Sequence, residues 1–198
     1  GTTATLNTGG ASLVGVVGGD TVGLNTGAAS GAFATPAVGT NKTVTVSGLA
    51  LSGAQAGNYT LTQPTTTASI TAKALTVSGI TATDREYTGG TSASLNTGSA
   101  SLLGVVGADA VSLNTGSATG AFATAAVGTG KTVTVSGLAL SGGDAGNYTL
   151  TQPTTTASVT AKNLTVSGVT ATDRPYNGGT VVALNTGGAS LVGVVGAD

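Results

Sequence analysis

Any chemistry performed by this chain must come from 7 Asp+Glu, 6 Lys+Arg, 4 Tyr and its hydroxyl and amide side chains, because it has no His, Cys, Met or Trp. That inventory supplies no thiol nucleophile, no imidazole base and no soft metal ligand. Two carboxylates held in different environments could still act as acid and base. The acids are not arranged for that: Asp84, Glu86, Asp109 and Asp144 stand apart among glycines and threonines. Calcium would need several carboxylates in one short loop, and no loop holds more than two. Turn acids bonded to nearby backbone are the expected reading. The expectation is no enzyme, no metal and no cofactor.

The remaining reactive groups give little more. Lys42, Lys73, Lys131 and Lys162 could form isopeptide bonds with Asn beside a buried acid, but at strand ends solvated charge is the plainer reading. Asn-x-Thr triplets at Asn41, Asn58, Asn147 and Asn163 are no more frequent than composition predicts. Thr132-Val133-Thr134 has the form of an ice-binding rank, yet it falls on one strand per module, so β-propensity explains it. A net charge of −1 excludes a surface that neutralises many phosphates, so no nucleic acid is expected. No stretch is long and apolar enough for a membrane span. Gly fills 34 positions, Thr is commoner still, and Val abounds, which favours strands over disorder.

Those residues sit in a tandem repeat. A shift of 89 superposes Phe33 on Phe122, Tyr59 on Tyr148 and Lys73 on Lys162, and residues 1–72 differ from 90–161 at 14 positions. Most changes are Ser/Thr, Ile/Val or Gly/Ser. The Asp144 column holds Gln55, and the Glu86 column holds Pro175. The organisation read from this period is a partial repeat lacking its first strand (1–72), a complete repeat (73–161) and the start of a third (162–198). Ends of arbitrary phase, with no initiator Met or signal peptide, suggest a window from a longer polymer.

Within the complete copy, Leu75-Thr76-Val77 and Val133-Thr134-Val135 alternate as strands do. The apolar phase changes at Ser78-Gly79 and again at Ser136-Gly137, which predicts two bulged or bent strands with Gly79 and Gly137 at the irregularity. Leu95-Asn96-Thr97-Gly98 and Leu113-Asn114-Thr115-Gly116 predict turns. Phe33 and Phe122 belong in the core. Residues 131–140, 147–152 and 154–161 read as the last three strands, the final one continuing into the next module. Asp144-Ala145-Gly146-Asn147-Tyr148 has the D-x-G-x-Y form of a tyrosine corner, with Tyr59 and Tyr148 bonding to upstream backbone. The expected fold is all-β, as immunoglobulin-like sandwich modules of 89 residues in an elongated array. The alternative is a β-solenoid, favoured only by the 18-residue interval between the two Leu-Asn-Thr-Gly motifs.

The segment 131–150, together with Leu75-Thr76-Val77-Ser78-Gly79-Ile80-Thr81-Ala82-Thr83-Asp84-Arg85-Glu86-Tyr87, resembles the YDG-type repeat of large secreted bacterial adhesins similar to filamentous haemagglutinin. The likeness covers the full 89-residue unit. The Tyr-Asp-Gly of that family is Tyr87-Thr88-Gly89 here and Tyr176-Asn177-Gly178 in the next copy, so no role is carried over for the Asp. The resemblance implies a bacterial cell-surface or extracellular protein, exported through the outer membrane, that builds a stalk or fibre.

Two functions follow as expectations. In the first, modules stack with neighbouring repeats of the chain or with identical subunits, and a unit that borrows its edge strand would do so by β-augmentation. In the second, each repeat carries a weak glycan or matrix site made multivalent by the array. Tyr87 beside Arg85 is the candidate contact for that second function, since Phe122 and Tyr148 already have structural roles.

Overall fold

The computed structural model describes residues 1–196 and 198. It is all-β: the only helical elements among these residues are single 3₁₀ turns at Ala56–Asn58 and Ala145–Asn147. The chain divides into two compact units, Gly1–Lys73 with Gly146–Thr149, and Ala74–Ala145 with Leu150–Asp198.

In the second unit the main sheet has five strands, in the order Ser92–Ala93, Thr119–Phe122, Gly128–Ser136, Thr154–Thr160 and Arg85–Glu86. The last pairing is parallel, Val159 opposite Arg85; the others are antiparallel. Alternation explains the core. Val133 and Val135 turn inward from the long strand while Thr132 and Thr134 face solvent, as period two requires. Phe122, Val133, Ala157 and Val159 form the buried cluster, and Ala82, Tyr87, Ala93 and Leu95 pack against it. A second sheet centres on Lys73–Ser78. One edge pairs antiparallel with Ser101–Leu103. The other adjoins the strand ending at Leu150, and Thr151 donates its N–H to the Leu75 carbonyl at 2.9 Å. Leu75 is fully buried there.

The strand expected over 131–140 is two strands. Gly128–Ser136 belongs to the main sheet, and Ala139–Ser141 pairs instead with Ser112–Asn114. The bend between them is at Gly137, with φ +78°, where a Cβ would overlap the Ser117 carbonyl. Gly79, at φ +80°, meets the Ser99 carbonyl in the same way. Both glycines therefore turn the chain from one sheet into another. The bulge in this strand lies elsewhere, between Gly128 and Lys131, where the pairing with Thr154–Thr160 shifts register. The expected final strand, 154–161, is Thr154–Thr160.

The first unit repeats the main sheet with four strands: Thr3–Ala4, Ser30–Phe33, Gly39–Ser47 and Thr65–Ile70. Phe33, Val44 and Val46 are its buried side chains. Gly23–Asn25 pairs with Ala50–Ser52 as in the second copy. Residues 12–14 and 59–61, however, carry no strand, although their counterparts 101–103 and 148–150 do. The strand Lys73–Ser78 is what organises those counterparts, and no strand takes its place in the first unit. The start of the third copy forms two short hairpin pairings, Thr165–Ser167 with Ser190–Val192 and Thr170–Ala171 with Leu184–Asn185.

Candidate functional site

The polar side chains are directed at the fold's own backbone. Asp144 Oδ2 accepts from the Ala110 N–H at 2.8 Å, and the Asp144 N–H donates to the Ala110 carbonyl at 3.2 Å. In the first copy Gln55 does the same: its Oε1 accepts from the Thr21 N–H at 2.9 Å and its N–H donates to the Thr21 carbonyl. An amide and a carboxylate thus fill one role, that of a side-chain acceptor closing two loops. Asp84 Oδ1 accepts from the Ser158 N–H at 2.6 Å, holding Arg85–Glu86 against the sheet.

Arg85 gathers its own loop. Its Nε donates to the Ser92 carbonyl at 3.0 Å, and Nη1 donates to the Glu86 carbonyl and to Thr88 Oγ1. Nη2 donates to the Gly90 carbonyl. The guanidinium lies 5.3 Å from the centre of the Phe122 ring, and the Lys131 ammonium lies 5.8 Å from it. Cations over an aromatic face are attracted to its quadrupole. The candidate ligand pair is therefore placed structurally: Tyr87 packs on the core cluster and Arg85 spends its donors within residues 86–92. Lys131 is not a solvated strand end. Its ammonium donates to the Thr124 carbonyl at 2.7 Å, to Thr124 Oγ1 and to the Ala126 carbonyl, and Lys42 repeats this with Thr35 and Ala37. Both ammonium groups are thus held by carbonyl and hydroxyl oxygens.

Tyr59 donates its hydroxyl to Asp20 Oδ2 at 2.7 Å and accepts from the Val17 N–H at 3.0 Å. This ties down a loop some 40 residues upstream, where a tyrosine corner would bond backbone only a few residues away. Hydrogen bonding to the Asp20 carboxylate raises the Tyr59 pKa above its ordinary 10.0, partly offset by the Val17 N–H. Tyr87 is likewise raised, first by its hydrogen bond to Asp198 and then by burial. Tyr148 is buried, and a Cβ at Gly146 would meet open space.

The sequence reading missed Gln63 and Gln152. Gln152 Nε2 donates to the Leu138 carbonyl at 2.9 Å and its Oε1 accepts from the Leu138 N–H; Gln63 clasps Leu49 identically. The available signal was a Gln-Pro pair retained in both copies.

Among the described residues no three His, Cys, Asp or Glu side chains group as a metal site, and no helix is long and apolar enough to cross a membrane. Two concave surfaces of mainly apolar lining lie in the first unit. A groove of about 500 Å³ runs between residues 11–14 and 59–62, floored by Val22, Leu24 and Leu51. A second cavity of about 390 Å³ is lined by Leu6, Val44, Val46 and Thr66. By the 89-residue shift, the second of these is where Ala82 pairs with Leu95 in the other copy, and the first is where Lys73–Ser78 lies. Both are lined mainly by Val, Leu, Ala and Thr side chains.

No curated protein and no solved structure matches the chain. The model of the YDG domain does match, over residues 1–68 and again over 71–157, which is most of the sequence and spans both copies. The chain belongs to the YDG domain family.

Proposed function

We propose that the chain is a structural segment of a bacterial surface protein: stacked, immunoglobulin-like β modules of 89 residues that form an extended stalk or filament outside the cell. The observation that carries this reading is that Asp144, Gln55, Asp84, Arg85, Lys131 and Gln152 all bind backbone of their own module. A module whose polar groups are so committed has its task in folding and repeating. Membership of the YDG domain family and the resemblance to secreted adhesins agree with it, and a net charge of −1 lets modules pack without self-repulsion. The packing of Tyr87 against the core speaks against a glycan contact there.

Electron microscopy of the native assembly tests the proposal. An extended rod or filament whose axial spacing scales with the number of 89-residue units is the expected image. Compact particles, or hydrolytic or binding activity retained by an isolated repeat, would overturn it.

A further inference from the structure

Asn7, Asn25, Asn96, Asn114, Asn185 and Asn177 each turn the side-chain carbonyl back onto the chain. In every case Oδ1 accepts from the N–H of the glycine two residues on, at 2.9–3.1 Å. Asn177 differs from the other five in two respects. They are followed by Thr, whereas Asn177 is followed by Gly178. Asn177 Oδ1 also accepts from Nη1 of Arg174.

The arginine is fixed by the module itself. Arg174 Nη1 donates to the Pro175 carbonyl at 3.4 Å and Nη2 to the Gly179 carbonyl, as Arg85 does to Glu86 and Gly90. Thr88, which takes Nη1 in the complete copy, stands where Asn177 does. The turn is exposed in both copies, at 88–90 and at 177–179. Gly89 and Gly178 share a positive φ, +75° and +72°. A Cβ at Gly178 would meet only the Tyr176 hydroxyl, 4.0 Å away. Water therefore reaches both the Gly178 nitrogen and the Asn177 amide.

We propose that Asn177 is a self-modification site: it deamidates through a cyclic imide, promoted by Arg174, with water as the co-reactant. The Gly178 nitrogen loses its proton to hydroxide and attacks Cγ of Asn177. The Cγ–Nδ2 bond breaks, and Nδ2 leaves as ammonia with a proton taken from water. A second water then opens the imide. Cleavage between Cγ and the Gly178 nitrogen gives aspartate; cleavage at the Asn177 backbone carbonyl gives isoaspartate. Negative charge develops on Oδ1 as the nitrogen adds, and Arg174 Nη1 and the Gly179 N–H are already aimed at that atom. Donors in place before charge appears lower the barrier, and an ionised donor does so more strongly than a neutral one. The asparagines followed by Thr have no such cation, and a stiff β-branched side chain crowds the attacking nitrogen. The new carboxylate stays beside the guanidinium, so the turn gains one negative charge already paired.

The test incubates the full 198-residue chain at mildly alkaline pH and follows it by peptide mapping with mass detection, which resolves aspartate from isoaspartate. Asn177→Asp marks the aspartate product. Conversion is expected at Asn177, with the five Asn-Thr sites unchanged over the same interval. The folded chain should convert faster than the same chain in urea, where nothing holds Arg174 against Oδ1. Arg174→Gln removes the ionised donor and should slow the folded chain about tenfold, while leaving the rate in urea nearly unchanged. Folded conversion no faster than in urea, a folded rate indifferent to Arg174→Gln, or Asn-Thr sites converting as fast as Asn177 would overturn the proposal. If Arg174→Gln loses the turn altogether, the comparison of folded and urea-unfolded wild type decides the matter. The stalk reading is untouched by any of these results, since it is judged by the shape of the native assembly.

Discussion

Gln152 and Leu138 clasp each other across the bend at Gly137: the amide donates to the Leu138 carbonyl at 2.9 Å and accepts from its N–H at 3.2 Å. Leu138 is buried, so its two backbone groups have little access to water and depend on this one side chain. Replacing Gln152 by Ala leaves both unpaired, and an unpaired buried group costs more than a hydrogen bond returns. Gln152→Ala should destabilise the second unit by about 2 kcal/mol, read from urea unfolding. Gln152→Glu keeps only the acceptor and should fall between Ala and wild type.

Asp144 is expected to tolerate loss of its charge. Gln55 makes the equivalent hydrogen bond in the other copy, so Asp144→Gln should change stability by less than about 0.5 kcal/mol. Asp144→Ala removes the acceptor and should cost about 1 kcal/mol. A denaturation series comparing the two separates hydrogen bonding from charge; a large cost for Asp144→Gln would assign the carboxylate a role of its own.

Arg85 cannot be replaced by Lys. The planar guanidinium reaches Ser92, Glu86, Thr88 and Gly90 together while facing the Phe122 ring. An ammonium offers no such fork. Arg85→Lys should cost about 1–2 kcal/mol and speed amide exchange in residues 86–92, with little change at Val133 or Val135.

Alkaline pH should loosen the first unit. The folded-state pKa of Tyr59 lies above the ordinary 10.0 because its hydroxyl donates to Asp20. Above pH 10 the unfolded chain loses this proton before the folded one does, so unfolding becomes more favourable as pH rises. The stabilisation is therefore complete below pH 10 and disappears as pH climbs through the folded value. In Tyr59→Phe the corresponding slope should vanish, which unfolding measured from neutral pH to pH 11 would show.

Local periodicity made much of this fold legible. Alternation placed Val133, Val135, Phe33 and Phe122 inside, and Asn-Thr-Gly marked turns in which Asn96 and Asn114 accept from the N–H of Gly98 and Gly116. The glycines at 79 and 137 were visible as irregularities, but a phase change looks the same for a bulge as for a bend between sheets. Only the carbonyls of Ser99 and Ser117, about 20 residues away in sequence, decide which it is. The same limit hid the site. Lys131 at a strand end reads as solvated charge until the bulge at Gly128 folds the chain so that Thr124 and Ala126 face it. Arg85 and Tyr87 read as a surface pair because the parallel strand that seats them pairs residues 74 apart.

The carbonyl cradle of Lys42 and Lys131 bears on where such a protein can work. A cation tied to a carboxylate loses much of that attraction as dissolved ions screen the pair, whereas one held by neutral oxygens at contact distance loses far less. With Gln55 and Asp144 interchangeable as well, the scaffold has few ties for electrolyte to weaken. It should keep its shape from fresh water to brine.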